Sequence, residues 1–357
     1  MGGQKGIALF YKFLAPEINL TCVSTKNNDP AKAPEYEVLN ILSDSRLRYI
    51  NPLYFFKLKR IIRQRNITIL ILEHPYFGWL GVLLKWFCKV KLVVHSHNIE
   101  GLRFKSTGQW WWGILWNYEK RIHRSANLNF FIHDEDRDYA IRNFRLPPQR
   151  CATITYGFDM ANAPLPQAIL SAKNEIRSQY HIGDHEKILL FNGTLNYKPN
   201  RDALDVILEK INPLLLAKAN FGYRILICGN KLPVTYNSLE AYRKMNIIYA
   251  GFVDDITVIF KSADIFINPV TDGGGIKTKV VEALGYGLSV ISTRSGAIGI
   301  PASLTGKNMT IIEDNDWEGF AEMILRADTS AAIPAEFFGH FYWGNIAAKA
   351  AALLNSL

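Results

Sequence analysis

The stretch Asn268-Pro-Val-Thr-Asp-Gly-Gly-Gly-Ile-Lys-Thr-Lys-Val-Val-Glu-Ala-Leu-Gly-Tyr-Gly287 decides how the chain is read. An apolar run, Asp264-Ile-Phe-Ile-Asn268, leads into three glycines, and an amphipathic helix pattern follows at once. A short buried strand, a glycine turn and a helix make the repeating unit of a parallel α/β sheet. Gly273, Gly274 and Gly275 let a ligand come close to bare backbone, and the helix behind them starts with unpaired N–H groups and a positive dipole end. Lys277 and Lys279 add cationic side chains. Being two residues apart, they cannot share one helix face, so at most one is expected to point at a bound anion. Glu282 lies about two turns into the helix, at a distance suited to a sugar hydroxyl rather than a phosphate. Together these residues describe a site for a phosphorylated, hydroxyl-bearing ligand such as a nucleotide sugar.

Strand-like and helix-like segments alternate on both sides of this unit. In the second half, Lys187–Phe191, Tyr223–Cys228, Asn246–Ala250, Asp264–Asn268 and Leu288–Ser292 read as strands. In the first half, Asn66–Leu72, Lys91–His95, Asn127–Ile132 and Ala152–Thr155 do so. The expected fold class is therefore α/β, as two Rossmann-like domains facing across a cleft, with ligands at the carboxyl ends of the strands. Residues 160–167, with Pro164 and Pro166, look like a linker. The expected domains are residues 1–162, residues 163–338, and a C-terminal helix within 339–357 that packs back on the first domain. Gly2 and Gly3 form a glycine-rich start with no strand before it. A doubly wound domain places such a turn after its first, central strand, so either that strand is missing from this chain, the reading we favour, or Gly2 and Gly3 are merely a flexible terminus.

Composition narrows the class. At 357 residues the chain is long enough for two cores, and 48% hydrophobic with 20% charged residues excludes intrinsic disorder. No apolar run reaches the length of a membrane span, and the nearest, Trp79–Phe87, is short and carries Lys85. No signal-peptide pattern opens the sequence. Cys22, Cys88, Cys151 and Cys228 are scattered singly, and His123, His133 and His181 show no ligand spacing, so neither a disulfide framework nor a metal site is expected. A reducing cytoplasm fits this usage. The net charge of +9 is lopsided: residues 1–160 hold 23 Lys+Arg against 13 Asp+Glu, leaving 18 against 19 for the rest. The densest basic stretch, Arg46–Arg65, is interleaved with apolar residues as in a basic amphipathic helix. Two readings stand: a surface helix with its stripe in the core, or attraction to an anionic membrane surface or lipid-linked substrate. No nucleic-acid motif accompanies the charge. Trp110-Trp-Trp112 reads as a packing or interfacial patch.

The second half resembles the retaining GT-B glycosyltransferases, in particular the nucleotide-sugar-dependent family 4. Phe191-Asn-Gly-Thr-Leu-Asn-Tyr-Lys-Pro-Asn200, Gly251-Phe-Val-Asp-Asp255, the loop and helix Pro269–Gly287, and Ser289-Val-Ile-Ser-Thr293 with Gly296 and Gly299 follow that family's order. In the first half, Val94-His-Ser-His-Asn-Ile-Glu100, Tyr118-Glu-Lys-Arg121, Asp134-Glu-Asp-Arg137 and Thr155-Tyr-Gly-Phe-Asp159 are similar more loosely. There are departures. Of the family's two glutamates seven residues apart, Glu282 matches the second, while Gly274 stands at the first, as in a branch with Gly-Gly-Gly in this loop. Thr194 replaces a frequent arginine after Gly193, and Gly285 and Ser289 also differ from the usual pattern.

The resemblance implies a retaining transferase that moves a sugar from a nucleoside diphosphate sugar to an acceptor hydroxyl, in polysaccharide, lipopolysaccharide or other glycoconjugate synthesis. It implies that Gly193, Lys198, Asn200, Gly273, Gly274, Gly275, Ile276, Lys277, Lys279 and Glu282 hold the donor, with Glu282 on the ribose. His97 would border the acceptor and the transferred sugar. Gly2, Gly3 and Glu100 would line the acceptor side, Glu100 by hydrogen-bonding a sugar or else by capping a helix. His95 is expected to be packed. No metal or other cofactor is implied, the nucleotide sugar being a co-substrate, and the basic half would suit a carbohydrate or lipid-linked acceptor at the inner face of a cell membrane. The rivals are a GT-B sugar-nucleotide epimerase, which product analysis with donor alone would reveal, and a non-catalytic sugar-nucleotide-binding scaffold.

Overall fold

The computed structural model describes residues 2–273 and 275–357, with backbone only for Gly2, Gly3 and Gln4. Two compact units result: residues 2–159 with 341–357, and residues 160–340.

The second unit is a six-stranded parallel sheet. Its strands are β7 (Lys187–Asn192), β8 (Tyr223–Cys228), β9 (Ile247–Gly251), β10 (Ile265–Asn268), β11 (Ser289–Thr293) and β12 (Met309–Ile312), in the order β12-β11-β10-β7-β8-β9. Ile188, Leu189, Leu190 and Phe191 are all fully buried. A strand apolar on both sides must be covered on both faces, which helices after each strand accomplish. Chain order reverses between β7 and β10, so the loops after these two strands flank the switch point where such sheets open a crevice.

Close backbone contact seats the loop after β7 against the ends of β8 and β9. A Cβ at Gly229 would lie 1.9 Å from the Gly193 carbonyl oxygen, and the Gly229 N–H already donates to Gly251 O at 2.7 Å. Backbone cannot yield as a flexible side chain does. Gly229→Ala should therefore destabilise this unit by about 2–4 kcal/mol, read as a lowered midpoint in urea unfolding.

The first unit carries β1 (Thr21–Thr25), β2 (Glu37–Leu42), β3 (Ile69–Glu73), β4 (Lys91–Ser96), β5 (Leu128–Phe131) and β6 (Cys151–Thr153). All pairs are parallel, but they form two sheets, β1-β2 and β3-β4-β5-β6. The strands β1, β2 and β12 escape a periodicity reading because their residues mix polar and apolar types and are mostly half-exposed. Gly2 and Gly3 are not a turn: they open helix α1 (Gly2–Leu14). Helices α2 (Leu53–Gln64) and α3 (Gly78–Cys88) share one apolar cluster, in which Tyr54, Ile62, Leu80 and Leu84 are buried with Val23 of β1 and Leu70 of β3 at its margin. Helices α4 (Glu100–Ser106) and α5 (Trp112–Ser125) follow β4. The last helix, Trp343–Asn355, packs here through Trp343, whose ring lies 6.1 Å from Phe10 of α1 and 5.4 Å from Tyr156.

Candidate active site

In the second unit the glycine loop leaves β10, and helix Thr278–Gly285 follows it. Gly273 has φ of 96°, and its N–H donates to Asp272 Oδ1 at 2.6 Å. That left-handed backbone is the reason for glycine, since a Cβ there would meet only ordinary contacts, at 3.5 Å to Pro199 and Tyr197. Gly274 lies outside the described residues.

Lys277 reaches this loop, and Lys279 reaches the end of β7. Lys277 is the extended residue just before the helix, with φ −86° and ψ 90°, so the face rule that separated it from Lys279 does not apply. Its ammonium donates to Gly273 O and, at 3.1 Å, to Gly275 O. Lys279, in the first turn, donates to Asn192 O at 3.3 Å and Asn200 Oδ1 at 3.2 Å, and lies 4.6 Å over the Phe191 ring. The helix-face reason for expecting at most one lysine at a bound anion therefore does not hold here. Neither lysine forms an ion pair among the described residues. Burial of its ammonium pushes Lys277 down to about 8, and burial with the nearby Lys277 charge pushes Lys279 down to about 7. Two crowded cations, offset only by the charge of Asp272 near Lys277, are costly unless an anion arrives.

The remaining candidates of this unit have distinct surroundings. Gly193 packs on Asn200, whose Nδ2 donates to Thr194 O at 3.1 Å. Lys198 is exposed and spent on an ion pair with Asp202. Ile276 is half-buried between the loop and Lys277, and Glu282, also half-buried, lies one turn beyond Lys279 on the same helix face. Asn192 and Asn268 end the two central strands, and each has a buried Oδ1 with no partner among the described residues. Unpaired acceptors of this kind call for a ligand or a water.

In the first unit a second cluster forms at the carboxyl ends of β3 and β4. The register pairs Glu73 with His95. Period two then turns His97 to the same side as His95. Glu73 Oε1 accepts from His95 Nδ1 at 3.0 Å and from the Tyr11 hydroxyl of α1 at 2.7 Å, while Oε2 accepts from His97 Nε2 at 2.6 Å. Burial alone would raise Glu73, but the two imidazoles overcome it and hold the carboxyl well below the usual range. An ionised carboxylate only accepts, so His97 carries a proton on Nε2. The His97 ring lies between those of His74 at 4.6 Å and His95 at 4.8 Å, tilted 30° and 39° to them. His74 has φ 66° and ψ 156°, a region that L residues avoid at a cost of about 1–3 kcal/mol. His95 is buried, while His97 is half-buried.

Glu100 opens α4 but is buried, its oxygens taken by Tyr76 Oη at 2.6 Å, by Arg103 and by His74 at 3.4 Å. It braces the strained His74 and neither caps α4 nor offers a free carboxylate. The N–H groups of Glu100 and Gly101 are met instead by Glu119 Oε1 and Oε2, both at 3.1 Å. Glu73, His95 and His97 are also the described group that could hold a cation, with ligand atoms within 4.8 Å of one another. Spacing along the chain gave no such signal, because two strands supply it.

Two family models cover most of the chain: residues 11–162 match Glycosyltransferase Family 4, and residues 186–328 match Glycosyl transferases group 1. The chain belongs to the GT-B glycosyltransferases of family 4, group 1 type. Among curated relatives of this glycosyltransferase, a chitobiosyldiphosphodolichol beta-mannosyltransferase of Debaryomyces hansenii is 24% identical over 69% of the chain. A Klebsiella pneumoniae protein, uncharacterized and encoded in a cps region, is 28% identical over 40% of it. The chain spans 57% of the first relative's length and 37% of the second's. A Rickettsia africae glycosyltransferase structure is similar with TM-score 0.75 and 14% identity, covering 99% of this chain and 95% of that one. Anabaena HepE in complex with UDP has TM-score 0.73 at 14% identity, covering 100% and 98%, and its UDP-glucose complex has 0.71 at 15%, covering 99% and 96%. These likenesses show that the GT-B fold is shared.

Three residues of this glycosyltransferase's clusters were missed in the sequence: Glu73, His74 and Tyr11. Glu73 is the one carboxylate between Arg46 and Ser96, at the end of an otherwise apolar strand, and that isolation is the signal that could have found it.

Proposed function

We propose that the protein is a retaining glycosyltransferase using a nucleoside diphosphate sugar, in the synthesis of a polysaccharide or other glycoconjugate. The observation that carries this is the pair of lysines at a helix N-terminus, Lys277 on the glycine loop and Lys279 at the end of β7, neither in an ion pair among the described residues. In the reaction, the bond from the anomeric carbon to the diphosphate oxygen breaks and the leaving group keeps the electron pair. The acceptor oxygen bonds the same face of the sugar, and its proton passes to a departing phosphate oxygen. Charge grows on the diphosphate as that bond lengthens, so donors aimed at it stabilise the transition state. Backbone N–H groups of residues 275–279, Lys277 and Lys279 supply them, with Thr194 adding no cation. Glu282 holds the ribose, Gly193 and Asn200 shape the pocket, and His97 Nδ1 accepts from a sugar hydroxyl. The binding of UDP and UDP-glucose by HepE supports this class of donor.

Turnover of a panel of nucleotide sugars, with anomeric configuration followed by NMR, tests the proposal. Hydrolysis or transfer with inversion would defeat it. Glu282→Ala should weaken nucleoside diphosphate binding about 10–100-fold with the fold intact. Unchanged affinity by calorimetry would remove Glu282 from the site.

A further inference from the structure

The basic stretch Arg46–Arg65 does not sink its whole apolar stripe into the core. Tyr54 and Ile62 are buried, but Leu53 and Phe56 of α2 are 62% and 67% exposed. The neighbouring α3 does the same, with Trp86 at 76% and Phe87 at 61%. One continuous patch results, because the Phe55 ring lies 5.4 Å from both Phe56 and Phe87 across the two helices. Lys59 extends over it, its ammonium 5.6 Å from the Phe55 ring and 5.8 Å from Phe87. Lys57 and Arg60 are exposed beside Phe56. Neither helix contains an acidic residue, and residues 46–96 hold ten Lys+Arg against Glu73 alone, which is spent on the histidines.

We propose that this face of α2 and α3 is a docking surface for an anionic lipid bilayer, lying in the headgroup region with Phe56, Trp86 and Phe87 inserted. Exposed aromatic rings ringed by cations on flexible stems match a surface that is oily below and negatively charged above. A protein partner would need carboxylates set opposite each cation, whereas lipid headgroups supply mobile phosphates. Among the described residues no helix is long and apolar enough to cross a membrane. The assignment is independent of the donor chemistry proposed above.

The test is flotation of the full chain with phosphatidylcholine vesicles, with and without about 30 mol % phosphatidylglycerol, at about 0.1 M and about 0.5 M salt. The protein should float with anionic vesicles at low salt and be released at high salt. Phe56→Ser with Trp86→Ser should lower binding about tenfold or more, and Lys57→Gln, Lys59→Gln and Arg60→Gln together about a hundredfold. Unchanged nucleoside diphosphate affinity and circular dichroism verify that these surface variants fold. Failure of the parent to float at low salt overturns the proposal, and so does equal flotation of the serine variant. A dimer in solution that the serine variant abolishes would give the face to a second copy instead.

Discussion

Replacing Lys277 and Lys279 together by alanine should weaken nucleoside diphosphate binding by about two to four orders of magnitude, since a hydrogen bond to a charged group contributes about 1.5–3 kcal/mol. Binding to the parent should also take up protons. Around pH 8 the free protein holds Lys277 half-protonated and Lys279 mostly neutral. A bound diphosphate draws both into the ammonium form, so uptake of about one proton per ligand is expected at that pH. Calorimetry in buffers of different ionisation enthalpy reads this directly, and zero uptake would separate these lysines from the phosphates. The same lowering has a consequence without ligand. Between about pH 7 and the unfolded lysine value, the unfolded chain binds more protons than the folded one. Stability of the second unit should therefore rise with pH across that window, and saturating nucleoside diphosphate should flatten the rise.

His97→Ala should lower kcat by about a hundredfold or more, with little change in nucleoside diphosphate affinity, because the histidine and the lysines belong to different units. Glu73→Gln keeps the size of the side chain but loses the anion that fixes the His97 proton on Nε2. A tenfold or larger fall in kcat is expected, again without loss of nucleotide binding. A fall in affinity matching the fall in kcat would show that Glu73 merely maintains the fold. The carboxyl of Glu73 is held below its ordinary value, so the stability it contributes is present above the normal carboxylate range and is lost as pH drops through its lowered folded value. Acid unfolding of Glu73→Gln should accordingly begin from a less stable protein but show a shallower pH dependence.

Much of the second unit was legible in the chain. Its strands are continuous apolar runs such as Lys187–Phe191, and its glycine loops punctuate them at the positions where the sheet reverses. The first unit was less so. Thr21–Thr25 and Glu37–Leu42 carry polar residues on half-exposed strands, where periodicity is weak. Among site residues the glycines and Glu282 stand out locally, whereas Glu73 and Tyr11 depend on strand register and on the docking of α1. Lys198 shows the converse: a lysine next to the right loop turns outward to pair with Asp202.

The sequence by itself determined the α/β architecture, the glycine loop with its following helix, and the excess of positive charge in the first half. These are properties of neighbours along the chain, set by hydrophobic period, glycine backbone freedom and simple charge counting. Only the tertiary structure decided which groups converge. An extended backbone at Lys277 turns it onto the glycine loop while Lys279 reaches the end of β7, and parallel register sets Glu73 beside His95. Packing of α2 on α3 leaves Phe56 and Trp86 in water. Contacts between residues far apart in sequence depend on how elements dock, and no local pattern encodes that.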